Sequence, residues 1–138
     1  MSAMWEVQKA LYDALVGNTA FMALISNRIY DEPNTNEEYP YVEIGDGTEV
    51  SVNRLNKLGY NNTLTLYIYT KPYGLGWYPA KQILSSMNTV LNIKRFTMSN
   101  YNMGGCKFDN ALEEKDKDKR IIHARYRIWA FSDTIHTL

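Results

Sequence analysis

Apolar residues recur at helical spacing in two stretches of the chain, residues 4–16 and residues 78–91. In each stretch, apolar side chains three or four positions apart share one face, as an amphipathic helix requires. Gly17 follows the first stretch and is suited to end a helix. Asn18 or Thr19 is suited to cap a second, shorter helix. The pattern therefore predicts three helices, two of them near the start of the chain.

Apolar and polar residues alternate in two other stretches, which is typical of strands with one buried face. In residues 63–70, one face carries Leu64, Leu66 and Ile68, and the other carries Thr65, Tyr67 and Tyr69. In residues 121–131, one face carries Ile122, Ala124, Tyr126, Ile128 and Ala130, and the other carries His123, Arg125, Arg127, Trp129 and Phe131. Less regular strand patterns lie at residues 28–30, 41–52, 95–101 and 106–113.

Polar or glycine-rich segments separate these elements and predict loops. The loops are predicted at residues 31–38, 53–62, 102–105 and 113–120, and a loose tail at residues 132–138. The segment 113–120 alternates in charge, as expected for a hairpin tip. Asp46 and Gly47 interrupt the strand pattern of residues 41–52 and predict either a turn or a bulge.

The order of elements is helix, helix, strands, helix, strands, in a chain of 138 residues. This length suits one domain. We expect residues 1–138 to form a single α+β domain, with a mixed, mainly antiparallel sheet and the helices packed on one face of that sheet. The second face of the final strand mixes cationic and aromatic residues, so the pattern predicts contact with another subunit there.

Lysine plus arginine and aspartate plus glutamate each number 15, so the formal net charge is zero. This balance argues against a dedicated nucleic-acid-binding protein, which usually carries a basic excess.

The single cysteine excludes an intrachain disulfide and suits a reducing cytoplasm. No apolar run approaches the roughly 18 residues of a membrane span, and the first residues lack a signal-peptide pattern.

The few residues with catalytic potential do not form a recognisable site. Cys106 follows two glycines, but it lacks the local signature of a catalytic cysteine, so we expect a partly buried strand thiol. His123 lies among arginines, and we expect a structural role. The carboxylates of residues 31–38 predict a solvated loop, and the glycine pairs at 45–47 and 74–76 predict turns. We therefore expect no enzyme activity, no metal and no cofactor.

Several segments in a fixed order resemble one protein family across nearly the whole chain. They are the helix with Ala10-Leu11-Tyr12-Asp13-Ala14-Leu15, then Arg28-Ile29-Tyr30, Tyr39-Pro40-Tyr41-Val42-Glu43-Ile44-Gly45, Leu64-Thr65-Leu66-Tyr67-Ile68-Tyr69, Ala80-Lys81-Gln82-Ile83-Leu84 and the long final strand. In this order they resemble the tail-completion proteins of long-tailed bacteriophages, also called tail-terminator or tail-to-head joining proteins. The chain departs from a simple match at residues 71–76 and 102–105.

The resemblance implies a structural virion protein that is assembled in the cytoplasm of the bacterial host. Such proteins form a ring, typically a hexamer, at the head-proximal end of the tail tube. The ring ends tube growth and contacts the connector of the head, and genomic DNA passes through its lumen without sequence-specific binding. The implied partners are copies of the same chain, the tail tube protein, the head-completion or connector protein and the passing DNA, with no membrane.

A ring built from one chain needs two different contact patches on each subunit. The first predicted patch consists of Tyr67, Tyr69, Arg125, Arg127 and Trp129, because its mixed composition is typical of interfaces. The predicted partner-docking loops contain Asn53, Arg54, Lys57, Lys115, Asp116, Lys117 and Asp118.

Two other functions fit the same pattern of helices and strands. One is a head-completion adaptor or a tube-like structural protein of the same virion. The other is a small ligand-binding domain, which would need a pocket with convergent polar groups.

Overall fold

The computed structural model describes residues 2–33, 37–52 and 58–132. Three helices and five strands follow one another in the predicted order. They are α1 Met4–Val16, α2 Thr19–Leu24, β1 Ile29–Tyr30, β2 Tyr41–Ser51, β3 Gly59–Thr70, α3 Tyr78–Leu91, β4 Asn102–Asp116 and β5 Lys119–Phe131. In these residues, no helix is long and apolar enough to cross a membrane.

The five strands form one sheet in the order β1-β2-β3-β5-β4. Only β1 and β2 are parallel, with Ile29 opposite Val42, and the other three neighbouring pairs are antiparallel. The connection between β1 and β2 is long enough to return the chain for a parallel pairing, whereas the turn between β4 and β5 contains only Lys117 and Asp118. The predicted mixed, mainly antiparallel sheet is confirmed.

The core lies between the three helices and one face of the sheet. Alternate residues of β3 and β5 enter this core, and the residues between them are only partly buried. The helices contribute their apolar stripes, which include Val7, Leu11 and Leu15 of α1 and Ile83, Met87 and Leu91 of α3. Burial of these large side chains is the main stabilising contribution to such a layered arrangement. The predicted packing of the helices on one face is therefore confirmed.

Local signals explain where several elements begin and bend. The side chain of Asn18 accepts a hydrogen bond of 2.9 Å from the backbone N–H of Phe21, so it caps α2 as predicted. The register of β2 against β3 shifts between Ile44 and Gly47. The interruption at Asp46 and Gly47 is thus a bulge within one strand and not a turn between two strands.

Two segments before β4 differ from the prediction. Residues 59–62, predicted as part of a loop, begin β3, because their backbone pairs with β5 despite the polar side chains of Asn61 and Asn62. Residues 95–101, predicted as a strand, form no strand in the structure, and only Lys94 makes an isolated bridge, to Cys106. Phe96 and Met98 nevertheless pack against the core, which explains the apolar signal of that segment.

Strand β4 is longer than predicted at both ends. It begins at Asn102, in the segment predicted as a loop, and extends to Asp116. The predicted hairpin tip at residues 113–120 is therefore mostly paired strand. Asn53, Arg54 and Lys57 of the predicted docking loop and residues 133–138 of the predicted tail lie outside the described residues.

Candidate assembly surfaces

All five residues of the first predicted patch lie on the sheet face that points away from the helices, here called the outer face. The register of β3 against β5 places Tyr67 opposite His123, Thr65 opposite Arg125 and Asn61 opposite Trp129. Their neighbours in sequence are buried in the core, and they themselves are partly exposed. The alternation seen in the sequence thus brings these side chains together on one surface.

The two tyrosines of the patch are held by carboxylates of the neighbouring strand β2. The hydroxyl of Tyr67 donates a hydrogen bond of 2.9 Å to Asp46, and this bond, with burial, raises the pKa of Tyr67. The hydroxyl of Tyr69 donates one of 3.0 Å to Glu43. Burial, followed by that hydrogen bond, raises the pKa of Tyr69. Both rings are therefore fixed in orientation, and both hydroxyls remain neutral at physiological pH.

A row of tyrosine rings in contact continues this surface towards the start of β2. The ring centroids of Tyr41 and Tyr69 are 4.7 Å apart, and those of Tyr39 and Tyr41 are 5.3 Å apart. Burial raises the pKa of Tyr41 to about 12. The Nζ atom of Lys71 lies 5.0 Å from the ring centroid of Tyr39, a favourable cation–π geometry. This corner of the sheet is thus rigid and aromatic.

The cationic half of the outer face is held by carboxylates of β4. One carboxylate oxygen of Asp109 lies 3.6 Å from the Nη2 atom of Arg127 and 3.8 Å from the Nε atom of Arg125. Both arginine side chains are about two-fifths exposed. Glu114 lies 2.8 Å from the Nε2 atom of His123, whose ring also packs edge-on against Tyr67. The cations therefore share their charge with carboxylates of the same chain, so the surface is locally close to neutral.

The structure separates the residues with catalytic potential. Cys106 is 1% exposed on the core side of the sheet, and burial raises the pKa of its thiol to about 12. The side chain of His123 points to the outer face, and its Nε2 atom forms a hydrogen bond with the carboxylate of Glu114. In residues 2–33, 37–52 and 58–132, no group of three or more His, Cys, Asp or Glu side chains could hold a metal ion. Cys106 is thus more deeply buried than the partly buried strand thiol that was predicted, and the structural role of His123 stays a prediction.

The predicted docking residues of the hairpin tip are exposed at the end of the sheet where β3 ends. Lys115 and Asp116 close the paired part of β4, and Lys117 and Asp118 form the turn. Asp118 lies 3.8 Å from the Nζ atom of Lys71, just after β3. The tip is thus placed beside the segment that follows β3 and does not extend away from the domain.

A groove at the opposite end of the sheet was not predicted from the sequence. It has a volume of about 520 Å³ and is lined by Val52, Leu58, Gly59, Asn61, Gly104, Trp129, Ala130 and Phe131. These residues come from β3, β4, β5 and the segments beside them, so their proximity depends on the sheet order. The one signal in the sequence is Trp129, which belongs to the first predicted patch and also lines this groove.

Comparisons with known proteins give one family and one fold. The family described as Tail completion protein gp17 matches residues 9–132. A solved chain from the "Virion of native gene transfer agent (GTA) particle" superposes with a TM-score of 0.86 and 19% sequence identity, covering 95% of this chain and 98% of that one. At this identity the similarity shows a shared fold. No curated protein sequence matches the chain.

Proposed function

The chain belongs to the tail completion protein gp17 family, and from this premise we propose that it forms a ring at the head-proximal end of a phage tail tube. Membership makes it a structural protein of a phage-like tail. The proposed ring ends the growth of the tube, joins the tail to the head and lets DNA pass through its lumen. The observation that carries the proposal is the family match, which extends over residues 9–132.

The fold supports a place within a virion. A chain of the gene transfer agent virion has the same fold over nearly its whole length. We infer that this chain is also a virion component, assembled in the host cytoplasm from copies of itself, the tail tube protein and the connector of the head. A hexamer is the expected ring, because the resembled family typically forms one.

The outer face is the proposed contact between neighbouring copies. Its tyrosine hydroxyls are hydrogen-bonded within the chain, so burying them on assembly leaves those groups satisfied. In contrast, the buried Nε atom of Arg125 has no hydrogen-bond acceptor among the described residues, although Asp109 lies nearby. Aromatic and arginine side chains of this kind dominate the energetics of many interfaces.

The exposed hairpin tip with Lys115, Asp116, Lys117 and Asp118 is proposed as a docking surface for a neighbour or for the tube. Its alternating charges would set orientation more than affinity, because exposed ion pairs are weak. The docking role of Asn53, Arg54 and Lys57 stays a prediction, since these residues lie outside the described part of the chain.

Charge balance supports the passage of DNA through the proposed lumen. A strongly basic surface binds the phosphates of any sequence and releases DNA slowly at low salt. The chain has no net charge. A ring of such subunits can therefore surround DNA without retaining it.

Deletion of the gene from its phage or prophage, followed by electron microscopy of the lysate, tests the proposed function. Full heads beside unattached tails, some of abnormal length, are the expected result. Joined and infectious particles would contradict the proposal. Tailed particles with empty or leaking heads would instead support a head-completion adaptor.

A further inference from the structure

The segment of residues 72–78, here called the apolar loop, carries no charged residue. Its side chains Tyr73, Leu75 and Tyr78 are 59%, 61% and 60% exposed. Large apolar side chains clustered on a surface in this way usually mark a contact site. The apolar loop begins two residues after the end of β3, and its residues 72–76 lie in the segment 71–76 that departs from the family pattern.

The apolar loop has a defined shape despite its exposure. The backbone N–H of Leu75 donates a hydrogen bond of 2.7 Å to the carbonyl of Pro72, and the N–H of Tyr78 donates one of 3.2 Å to the carbonyl of Leu75. Gly74 and Gly76 have positive φ angles of 76° and 62°, which glycine adopts without strain. The turn therefore presents Leu75 in a fixed position, so little conformational entropy is lost when it binds.

The groove at the other end of the sheet is complementary to the apolar loop. Among the described residues that line the groove, none is charged, and most are apolar. The buried side-chain oxygen of Asn61, one of the lining residues, has no hydrogen-bond partner among the described residues. A neutral, apolar insert would suit such a site.

One copy of the chain cannot insert its apolar loop into its own groove. Gly59, at the start of β3, lines the groove, and Thr70, at the end of β3, lies two residues before the loop. A strand of 12 residues spans about 36 Å from its first to its last residue. A loop and a groove at opposite ends of one subunit can only meet between copies, and such a head-to-tail contact generates a ring when its rotation closes.

We propose that the apolar loop of one copy inserts Leu75 into the groove of the next copy. This inference rests on the proposed ring and names one pair of surfaces that builds it. Trp129 belongs to both the groove and the outer face, so the two contacts form one continuous interface. The residues of the apolar loop and the described residues that line the groove are uncharged, which favours a second copy over a nucleic acid or a highly charged partner.

Disulfide trapping on assembled tails tests the inference. The variant with both Leu75→Cys and Val52→Cys is incorporated into tails, which are then treated with an added oxidant and separated without reductant. Both positions are exposed, and the native Cys106 is buried, so the new thiols are the reactive ones. Within one copy these two positions are too far apart for a disulfide. A ladder of covalent multimers that disappears on reduction is the expected result.

A second variant provides the control. Ile93 is 81% exposed in the turn after α3 and belongs to neither surface. Ile93→Cys together with Val52→Cys should give no ladder under the same conditions.

Intact rings on the tails without a ladder from the Leu75 variant would overturn the inference and leave the ring in place. A bond from the Leu75 variant to a different protein would also overturn it, by assigning the groove or the loop to that protein. Tails that carry no ring of this chain would overturn the proposed function itself.

Discussion

The guanidinium group of Arg28 donates a hydrogen bond of 3.0 Å from its Nε atom to the backbone carbonyl of Pro40. A second bond, also of 3.0 Å, runs from the same group to the carbonyl of Tyr39. These contacts tie the end of the first helical region to the start of β2, next to the parallel pairing of β1 with β2. They give a physical reason for two sequence segments, Arg28-Ile29-Tyr30 and Tyr39-Pro40-Tyr41, to occur together.

We expect Arg28→Ala to lower the free energy of unfolding by about 2–3 kcal/mol, because two partly buried carbonyls lose a charged donor. Urea denaturation measures the change. Arg95→Ala provides the control, since Arg95 also donates from Nε to a carbonyl, that of Gly104, but on an exposed surface. A loss for Arg28→Ala no larger than that for Arg95→Ala would contradict the assigned role.

Gly45 lies against the ring of Tyr67, and a Cβ atom there would meet the ring carbon Cε2 at 1.9 Å. Gly45→Ala should therefore displace Tyr67 from Asp46 and destabilise the fold by about 1–3 kcal/mol, a typical cost of overpacking. Thermal or urea unfolding measures this cost, and NMR of the tyrosine ring reports the displacement. Gly105→Ala is the matched control, because nothing lies within 4 Å of its added Cβ. Equal effects of the two substitutions would show that close packing at Tyr67 is not the cause.

Arg125→Glu combined with Arg127→Glu should block assembly on tails and leave the fold intact. The two arginines lie beside one carboxylate at a partly exposed site, so their ion pairs contribute little to stability. Circular dichroism checks the fold, and electron microscopy of complemented lysates checks assembly. Lys9→Glu with Lys94→Glu makes the same change in net charge at exposed positions elsewhere. Normal tails carrying the arginine variant would contradict the proposed interface.

The stability of the protein should fall as the pH rises above 9. Burial raises the pKa of Cys106 from 9.0 to about 12, so the unfolded thiol ionises before the folded one. The stabilising effect is complete below pH 9 and is lost as the pH rises towards 12. At the slope of about 1.4 kcal/mol per pH unit for one proton, the loss from pH 9 to pH 10 is about 1 kcal/mol.

Urea denaturation at several pH values tests this alkaline effect. Cys106→Ala should reduce the loss of stability between pH 9 and 10 by about 1 kcal/mol, and the buried tyrosines account for the slope that remains. Tyr41→Phe should change that interval by only about a third as much and act mainly above pH 10, because the pKa of Tyr41 is raised from 10.0 to about 12. An unchanged slope in the Cys106 variant would assign the effect to another group.

The sequence predicted the elements whose signals are local. The helical spacing of apolar residues predicted the limits of α3, Tyr78–Leu91. The alternation of apolar and polar residues predicted which residues lie on each face of β5. The start of β3 was missed because Asn61 and Asn62 are polar residues that become strand only through their pairing with Trp129 and Ile128 of β5. Such pairing depends on sheet order, which no local pattern contains.

The candidate surfaces also include parts that a local sequence pattern predicts and parts that depend on strand order. The outer face could be predicted because its residues alternate along single strands. The carboxylates that hold it, such as Asp109 and Glu114, could not be assigned, since they come from β4 and depend on its bulges. The groove combines Val52, Gly104 and Trp129 from distant positions, and only the folded sheet brings them together.

The position of Asp109 beside two guanidinium groups has a consequence for the ionic strength that the assembly tolerates. Charges already paired within one subunit attract few ions from solution, so joining two outer faces displaces few of them. Cohesion between copies then depends on shape and apolar area, which salt weakens little. If the outer face is the contact proposed above, the assembled ring should therefore withstand a wide range of salt concentrations.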